Sequence, residues 1–216
     1  MFKKNNLIGV LAVAITVFCV GRFAYKQFNR YPKVDVQPFA TLGSLVADET
    51  SKLLPSGGKV VVLSVDTAKY NIPTLDTLLS AFRKGLKGNI TISSVEKFRI
   101  PPSVFMALSS GSLVPPTADF SASQFVKVVQ TYSSADAIIS FVGLPPSLSG
   151  NAGELQQKRP RIVVVSNRDP ELVGFLKSHI IDLAIVPRAE PATEQEAKDL
   201  HLKQNKRTYE ILTSDK

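Results

Sequence analysis

The sequence contains one cysteine and two histidines among 216 residues. A lone thiol, Cys19, cannot form an intramolecular disulfide, and a chain of this size needs none. Neither CxxC nor HExxH occurs, which excludes zinc sites of the usual spacing. His179 reads instead as a helix C-terminal residue favoured by the dipole, and His201 lies in a charged tail. The glycine-rich phosphate cradles G-x-G-x-x-G and G-x-x-x-x-G-K-[ST] are absent, as is the G-x-S-x-G nucleophile elbow. An S-x-x-K match, Ser94 to Lys97, falls on an expected strand, where positions three apart face opposite ways. No cofactor and no metal is expected, and the balance leans against an enzyme.

Acidic residues are also missing from the first 33 positions, which hold Lys3, Lys4, Arg22, Lys26, Arg30 and Lys33. Setting those aside, the 26 basic residues fall to 20 against 18 acidic ones, so the formal charge of +8 belongs largely to the N-terminus. The body is nearly neutral and lacks the broad basic surface that nucleic-acid binding requires. The basic head encloses an apolar run, Leu7 to Val20, which resumes at Phe23-Ala24-Tyr25. With Arg22 snorkelling, Leu7 to Tyr25 gives a helix of about 28 Å, enough to cross a bilayer core.

A cleaved secretory signal competes with this anchor reading, but no small-x-small site follows Val20. Residues 1–27 are therefore expected to form a single-pass anchor in the inner membrane. The flanking charges do not choose a side. The short basic n-region favours export of the body to the periplasmic or extracytoplasmic side.

Residues 28–58, with Pro32, Pro38, Pro55 and Gly57-Gly58 around one amphipathic piece, Phe39 to Leu54, read as a stalk. Residues 59–190 alternate strand and helix. Val60 to Val65 and Ile162 to Val165 are apolar runs without alternation, as expected of parallel strands buried on both faces. Leu75, Leu78, Leu79, Phe82 and Leu86 mark a helix face, and so do Phe125, Val128, Val129 and Tyr132 after the capping-box pair Ser121 and Gln124. Asn89 to Phe98, where Ile90, Ile92 and Ser94 alternate with polar residues, reads as an edge strand. Asp169-Pro170 opens a helix through Ile180, and Leu183 to Val186 follows as a strand. The expected fold is α/β: a single doubly wound, mostly parallel five-stranded sheet of order 2-1-3-4-5, flavodoxin-like, behind an N-terminal transmembrane helix. Residues 191–216 form a polar helical tail in which Tyr209 to Leu212 can add a short strand.

A receiver domain has this strand order but needs an acidic pair after strand one and an Asp ending strand three. Here Asp66 stands alone and the third strand ends Phe141-Val142-Gly143. Ligands of open parallel sheets sit at the carboxyl ends of the strands. Those ends present Asp66, Thr67, Lys69, Tyr70 and Asn71 after strand one, Ser166, Asn167 and Arg168 after strand four, and Arg188 after strand five. The insertion Arg99 to Phe120 projects from the same edge. Two readings of Arg168 and Arg188 stay open: they hold an anion beside the helix opening at Pro170, or Asp169 fills that helix end and pairs with one of them.

Val60 to Asp66, the helix from Thr74, Asn89 to Phe98, the helix from Ser121 and Ala135-Asp136-Ala137-Ile138-Ile139 together resemble the first lobe of type I periplasmic sugar-binding proteins. "ADAII" is similar to the "VDGIII" that precedes the third strand in that family. The resemblance implies that the polar segment after strand one contacts a ligand. A second lobe is not expected here, so clamshell closure within one chain is not implied.

The function expected is a membrane-anchored, non-catalytic binding or interaction module of the cell envelope, meeting a protein partner or a small polar ligand at the carboxyl edge of the sheet, with no nucleic acid involved. The alternatives are a flavodoxin-like enzyme acting on a nucleotide or sugar, and a structural subunit of an envelope complex. If Leu7 to Tyr25 is an uncleaved anchor, the protein stays with membranes through alkaline extraction and keeps its N-terminus. A mature chain beginning after Val20, read by N-terminal sequencing, contradicts it.

Overall fold

The computed structural model describes residues 16–22, 35–67, 72–99, 120–155, 159–188 and 209–214. The chain divides into two compact units, Met1–Val34 and Asp35–Lys216. In the first, residues 16–22 are helical, with Val17, Phe18 and Val20 exposed. The rest of the expected anchor, Leu7 to Tyr25, lies outside the described residues. Among the described residues no helix is long and apolar enough to cross a membrane.

The second unit opens with helix α1, Gln37–Leu53, where a stalk is expected. The helix belongs to the folded body instead: Phe39, Leu42, Leu45, Val46 and Ala47 lie in the hydrophobic core. It packs on α2, Pro73–Gly85, because small residues let the two helices approach. A Cβ on Gly43 would sit 2.2 Å from the Leu78 carbonyl oxygen. Two polar ties add to this contact: Lys87 Nζ reaches Asp48 at 2.7 Å, and the Lys87 N–H donates to the Ser51 hydroxyl at 3.1 Å. An amphipathic face shows that a helix has something to bury, but not where, and this is why the stalk boundary is misplaced.

The sheet has six strands in the order β2-β1-β3-β4-β5-β6. They are β1 (Gly58–Val65), β2 (Ile90–Phe98), β3 (Ala137–Ser140), β4 (Arg161–Val165), β5 (Leu183–Pro187) and β6 (Tyr209–Thr213). The first five pair in parallel in the expected order. The segment expected to add a strand does so, with β6 running antiparallel to β5 from Pro187↔Tyr209 to Leu183↔Thr213. Val60 to Val65, all of β3 and Ile162 to Val165 are buried, as their unbroken apolar runs require. Val62, Leu63, Ile139, Val164 and Ile185 occupy the interior with Phe82, Val129 and Leu176, while Leu79 is half-buried against them.

β2 departs from simple alternation. Val60 pairs with Ile92 and Val61 with Ser94, so Ser93 is the extra residue of a bulge. Its hydroxyl donates to the Val60 carbonyl at 3.2 Å. The bulge breaks the expected Ile90-Ile92-Ser94 series: after it, Val95 and Lys97 pair with Val62 and Ser64, whereas Ser94 and Glu96 pair with Val61 and Leu63.

Helix α3, Ala122–Thr131, begins at the Ser121–Gln124 capping box. Phe120 packs between Phe98 at the end of β2 and Phe125 of α3, at ring-centroid distances of 4.7 and 6.0 Å. A short helix, α4 (Ala152–Leu155), precedes β4. Helix α5, Pro170–Lys177, is capped by Asp169, whose carboxylate accepts the Glu171 N–H at 2.9 Å. It stops short of the expected Ile180. His179 adopts φ +53°, its N–H bonds the Leu176 carbonyl at 3.0 Å, and the Ile180 N–H returns to Phe175 at 2.8 Å. This is a Schellman termination with histidine in the position usually held by glycine.

The packing of α1 on α2 yields a prediction. Gly43→Ala drives a methyl into the Leu78 carbonyl and should lower unfolding free energy by about 1 to 3 kcal/mol, measured by urea denaturation. An unchanged midpoint would show that α1 does not pack as described.

Candidate functional site

A parallel sheet carries the carboxyl ends of its strands to one edge, so β1, β4 and β5 bring their following segments together there. Asp66 and Thr67 are half-buried at the end of β1, and the Asp66 N–H donates to the Phe98 carbonyl at 2.7 Å. Ser166 follows β4, its N–H bonding the Ile185 carbonyl at 3.1 Å, with Asn167 and Arg168 exposed beyond it. Arg188 is exposed immediately after β5. Lys69, Tyr70 and Asn71 lie outside the described residues, as does nearly all of the insertion between Arg99 and Phe120.

Two details bear on the expected anion site. Asp169 occupies the start of α5, and Arg168 forms an ion pair with Glu210 of β6, both side chains being substantially exposed. The second of the two open readings thus holds for the helix end, although the arginine's partner is Glu210 rather than Asp169. Arg188 is left at the edge with no ion pair among the described residues.

The opposite, amino edge is pinned by carboxylates. Asp136 Oδ2 accepts the Lys59 N–H at 2.7 Å, and Asp182 Oδ2 accepts the Ile162 N–H at 2.8 Å. Arg159 clamps the second of these, donating to Asp182 at 2.7 Å, to the Pro160 carbonyl at 2.8 Å and to the His179 carbonyl. These groups are committed to the fold.

The S-x-x-K residues part as a strand requires. Ser94 contacts Glu96 at 3.2 Å and the Tyr132 hydroxyl at 3.1 Å, and Tyr132 donates to the same Glu96 carboxylate. Lys97 points to the α2 face, where it lines a cleft of about 390 Å³ with Ser64, Thr67, Asp76, Arg83 and Lys84. Sequence reasoning missed this cleft. One signal was available: Asp76, Ser80, Arg83 and Lys84 recur at helical spacing on the polar side of α2.

Among the described residues no group of three or more His, Cys, Asp or Glu could hold a metal ion. Among the described residues three buried hydroxyls lack a hydrogen-bond partner: Ser64 Oγ, Thr74 Oγ1 and the Tyr209 hydroxyl. Burial pushes the Tyr209 phenol up to about 12, because the phenolate would be formed away from water.

Comparison with solved structures finds this fold in sugar-binding proteins. The chain is similar to an ABC transporter solute-binding protein from Burkholderia graminis in complex with D-arabinose, at 16% identity and a TM-score of 0.50, covering 82% of this chain and 60% of that one. It is also similar to a periplasmic solute-binding protein from Actinobacillus succinogenes with bound D-allose, at 13% identity, TM-score 0.48 and coverage of 82% and 59%. AraP, an arabinose-binding protein from Geobacillus stearothermophilus, gives 14% identity, TM-score 0.48 and coverage of 82% and 61%. The chain thus spans about 60% of the length of these proteins. The likeness is one of fold. No protein-family model and no curated protein matches the chain.

Tyr209 generates a prediction with a defined sign. An unfolded tyrosine loses its proton near 10.0 and the folded one near 12, so its contribution is complete below pH 10 and is lost as pH rises through 12. Tyr209→Phe should abolish that part of the alkaline loss of stability and leave neutral-pH stability equal or higher, since the hydroxyl is buried without a partner. Urea denaturation at pH 8 and pH 11 checks both. A neutral-pH loss of several kcal/mol would mean that the hydroxyl is satisfied.

Proposed function

We propose that this chain is a non-catalytic binding module of the cell envelope, tethered to the membrane by Leu7 to Tyr25 with its body on the extracytoplasmic side. It meets a small polar ligand or a protein partner at the carboxyl edge of its sheet. The observation that carries this reading is the gathering of Asp66, Thr67, Ser166, Asn167, Arg168 and Arg188 at the ends of three parallel strands. In open α/β sheets that edge is where ligands bind. The fold adds support, because a protein that shares it holds D-arabinose. Polar side chains on a rigid sheet edge, with Arg188 extending beyond it, suit recognition by hydrogen bonds and charge.

Alanine substitution of both edge arginines tests this. Arg168→Ala with Arg188→Ala, introduced into the full chain, should cut recovery of bound protein or sugar from solubilised membranes at least tenfold, measured by mass spectrometry. Unfolding free energy should change by no more than about 1 kcal/mol, because an exposed ion pair such as Arg168–Glu210 contributes little. Unchanged recovery together with a large loss of stability would make the arginines structural and remove the edge from consideration.

A further inference from the structure

The cleft beside α2 shares Thr67 with the carboxyl edge but contains neither Arg168 nor Arg188. One wall is α2, which contributes Asp76, Ser80, Arg83 and Lys84. The other is β2, with Val95 and Lys97, and the end of β1 supplies Ser64 and Thr67. At about 390 Å³ its volume falls in the range of small-molecule pockets, roughly 300 to 1,000 Å³, and is more than a bare inorganic ion fills.

Three observations define what it would take. Arg83, Lys84 and Lys97 set three cations against the single carboxylate of Asp76, and none of the three forms an ion pair among the described residues. A dianion balances that excess. Ser64, only 1% exposed, carries a hydroxyl with no hydrogen-bond partner among the described residues. A buried unpaired hydroxyl is costly, and a ligand whose binding opens the floor of the cleft to it relieves the cost. Finally, Asp76 is separated from Arg83 by about 10 Å along the helix axis, at ~1.5 Å per residue. Its carboxylate repels an anion but accepts hydrogen bonds from hydroxyl groups.

We propose that this cleft binds the phosphomonoester of a small polyhydroxylated molecule. Arg83 and Lys84 hold the phosphate, Lys97 supplies the third positive charge from across the cleft, and Asp76 with the hydroxyl-bearing wall takes the ligand's hydroxyls. A phosphomonoester is close to a dianion at neutral pH and loses the second charge below about pH 6, so affinity falls with acidification.

The test is isothermal titration calorimetry on the purified full chain, with glucose 6-phosphate, glucose and inorganic phosphate as probes. Glucose 6-phosphate should bind saturably at one site, at least tenfold more tightly than inorganic phosphate, and glucose should not bind measurably. Arg83→Ala with Lys84→Ala should weaken glucose 6-phosphate at least tenfold. Both side chains are exposed, so the variant is expected to fold, and its circular dichroism spectrum would confirm this. Ser64→Ala should weaken the same ligand several-fold without lowering the thermal midpoint. Moving from pH 7.5 to pH 5.5 should also reduce affinity several-fold. The proposal is overturned if glucose 6-phosphate shows no saturable binding, if the Arg83/Lys84 variant binds it as well as the parent, or if glucose binds as tightly as its phosphate. Arg168→Ala with Arg188→Ala should leave this binding unchanged, and that separates failure of this site from failure of the carboxyl-edge reading.

Discussion

The Asp136 carboxylate accepts the N–H of Lys59, two strands apart in sequence but adjacent in the sheet, and the Lys59 carbonyl in turn accepts the N–H of Asp136 at 2.8 Å. This reciprocal pair fixes where β3 enters beside β1, at the point where the strand order reverses. It requires Gly58 alongside: φ is +154°, and a Cβ there would lie 2.7 Å from Asp136 Oδ2. The device recurs one βαβ unit later. Asp182 stands immediately before β5 and accepts the N–H of Ile162, the second residue of β4, while the Asp182 N–H donates to the Ile162 carbonyl at 2.9 Å. At the rim these N–H groups, each on the second residue of its strand, would otherwise lack a partner, and a carboxylate placed one residue before the neighbouring strand supplies it. The amino edge is thereby closed by its own side chains.

The strands and their order were legible because parallel pairing leaves an uncommon mark, β-branched runs without alternation, seen at Val60 to Val65 and Ile162 to Val165. Caps were legible too, since a Ser with Gln three residues on and an Asp before Pro act within one turn of chain. The "ADAII" segment carried the resemblance, and in this structure its Asp136 accepts the Lys59 N–H. What stayed hidden depends on partners far along the chain. Arg168 meets Glu210, 42 residues away, and α1 finds α2 through Gly43, whose value appears only against Leu78. The bulge at Ser93 and the left-handed His179 were invisible for another reason: neither residue type advertises that backbone state.

The bulge links edge protection to the cleft. β2 is a nine-residue strand at the rim of the sheet, and a long regular edge strand invites pairing with another chain. Ser93 interrupts the ladder, and exposed Thr91 and Lys97 place polarity and charge along it. On that account Lys97 would be explained without any ligand. Yet the register shift does more than interrupt pairing. Without it Lys97 would occupy the α3 face, where Phe98, Phe120 and Phe125 cluster and Glu96 is bound by Tyr132. With it, Lys97 comes into register with Ser64 and faces Arg83 and Lys84. Gathering three cations in one cleft raises their mutual repulsion, a cost that edge protection alone does not require, because a lysine on either face would serve. The unpartnered Ser64 hydroxyl beneath them adds a second cost at the same place. These two unfavourable features converge on a single cleft, and an anionic hydroxylated ligand would relieve them together.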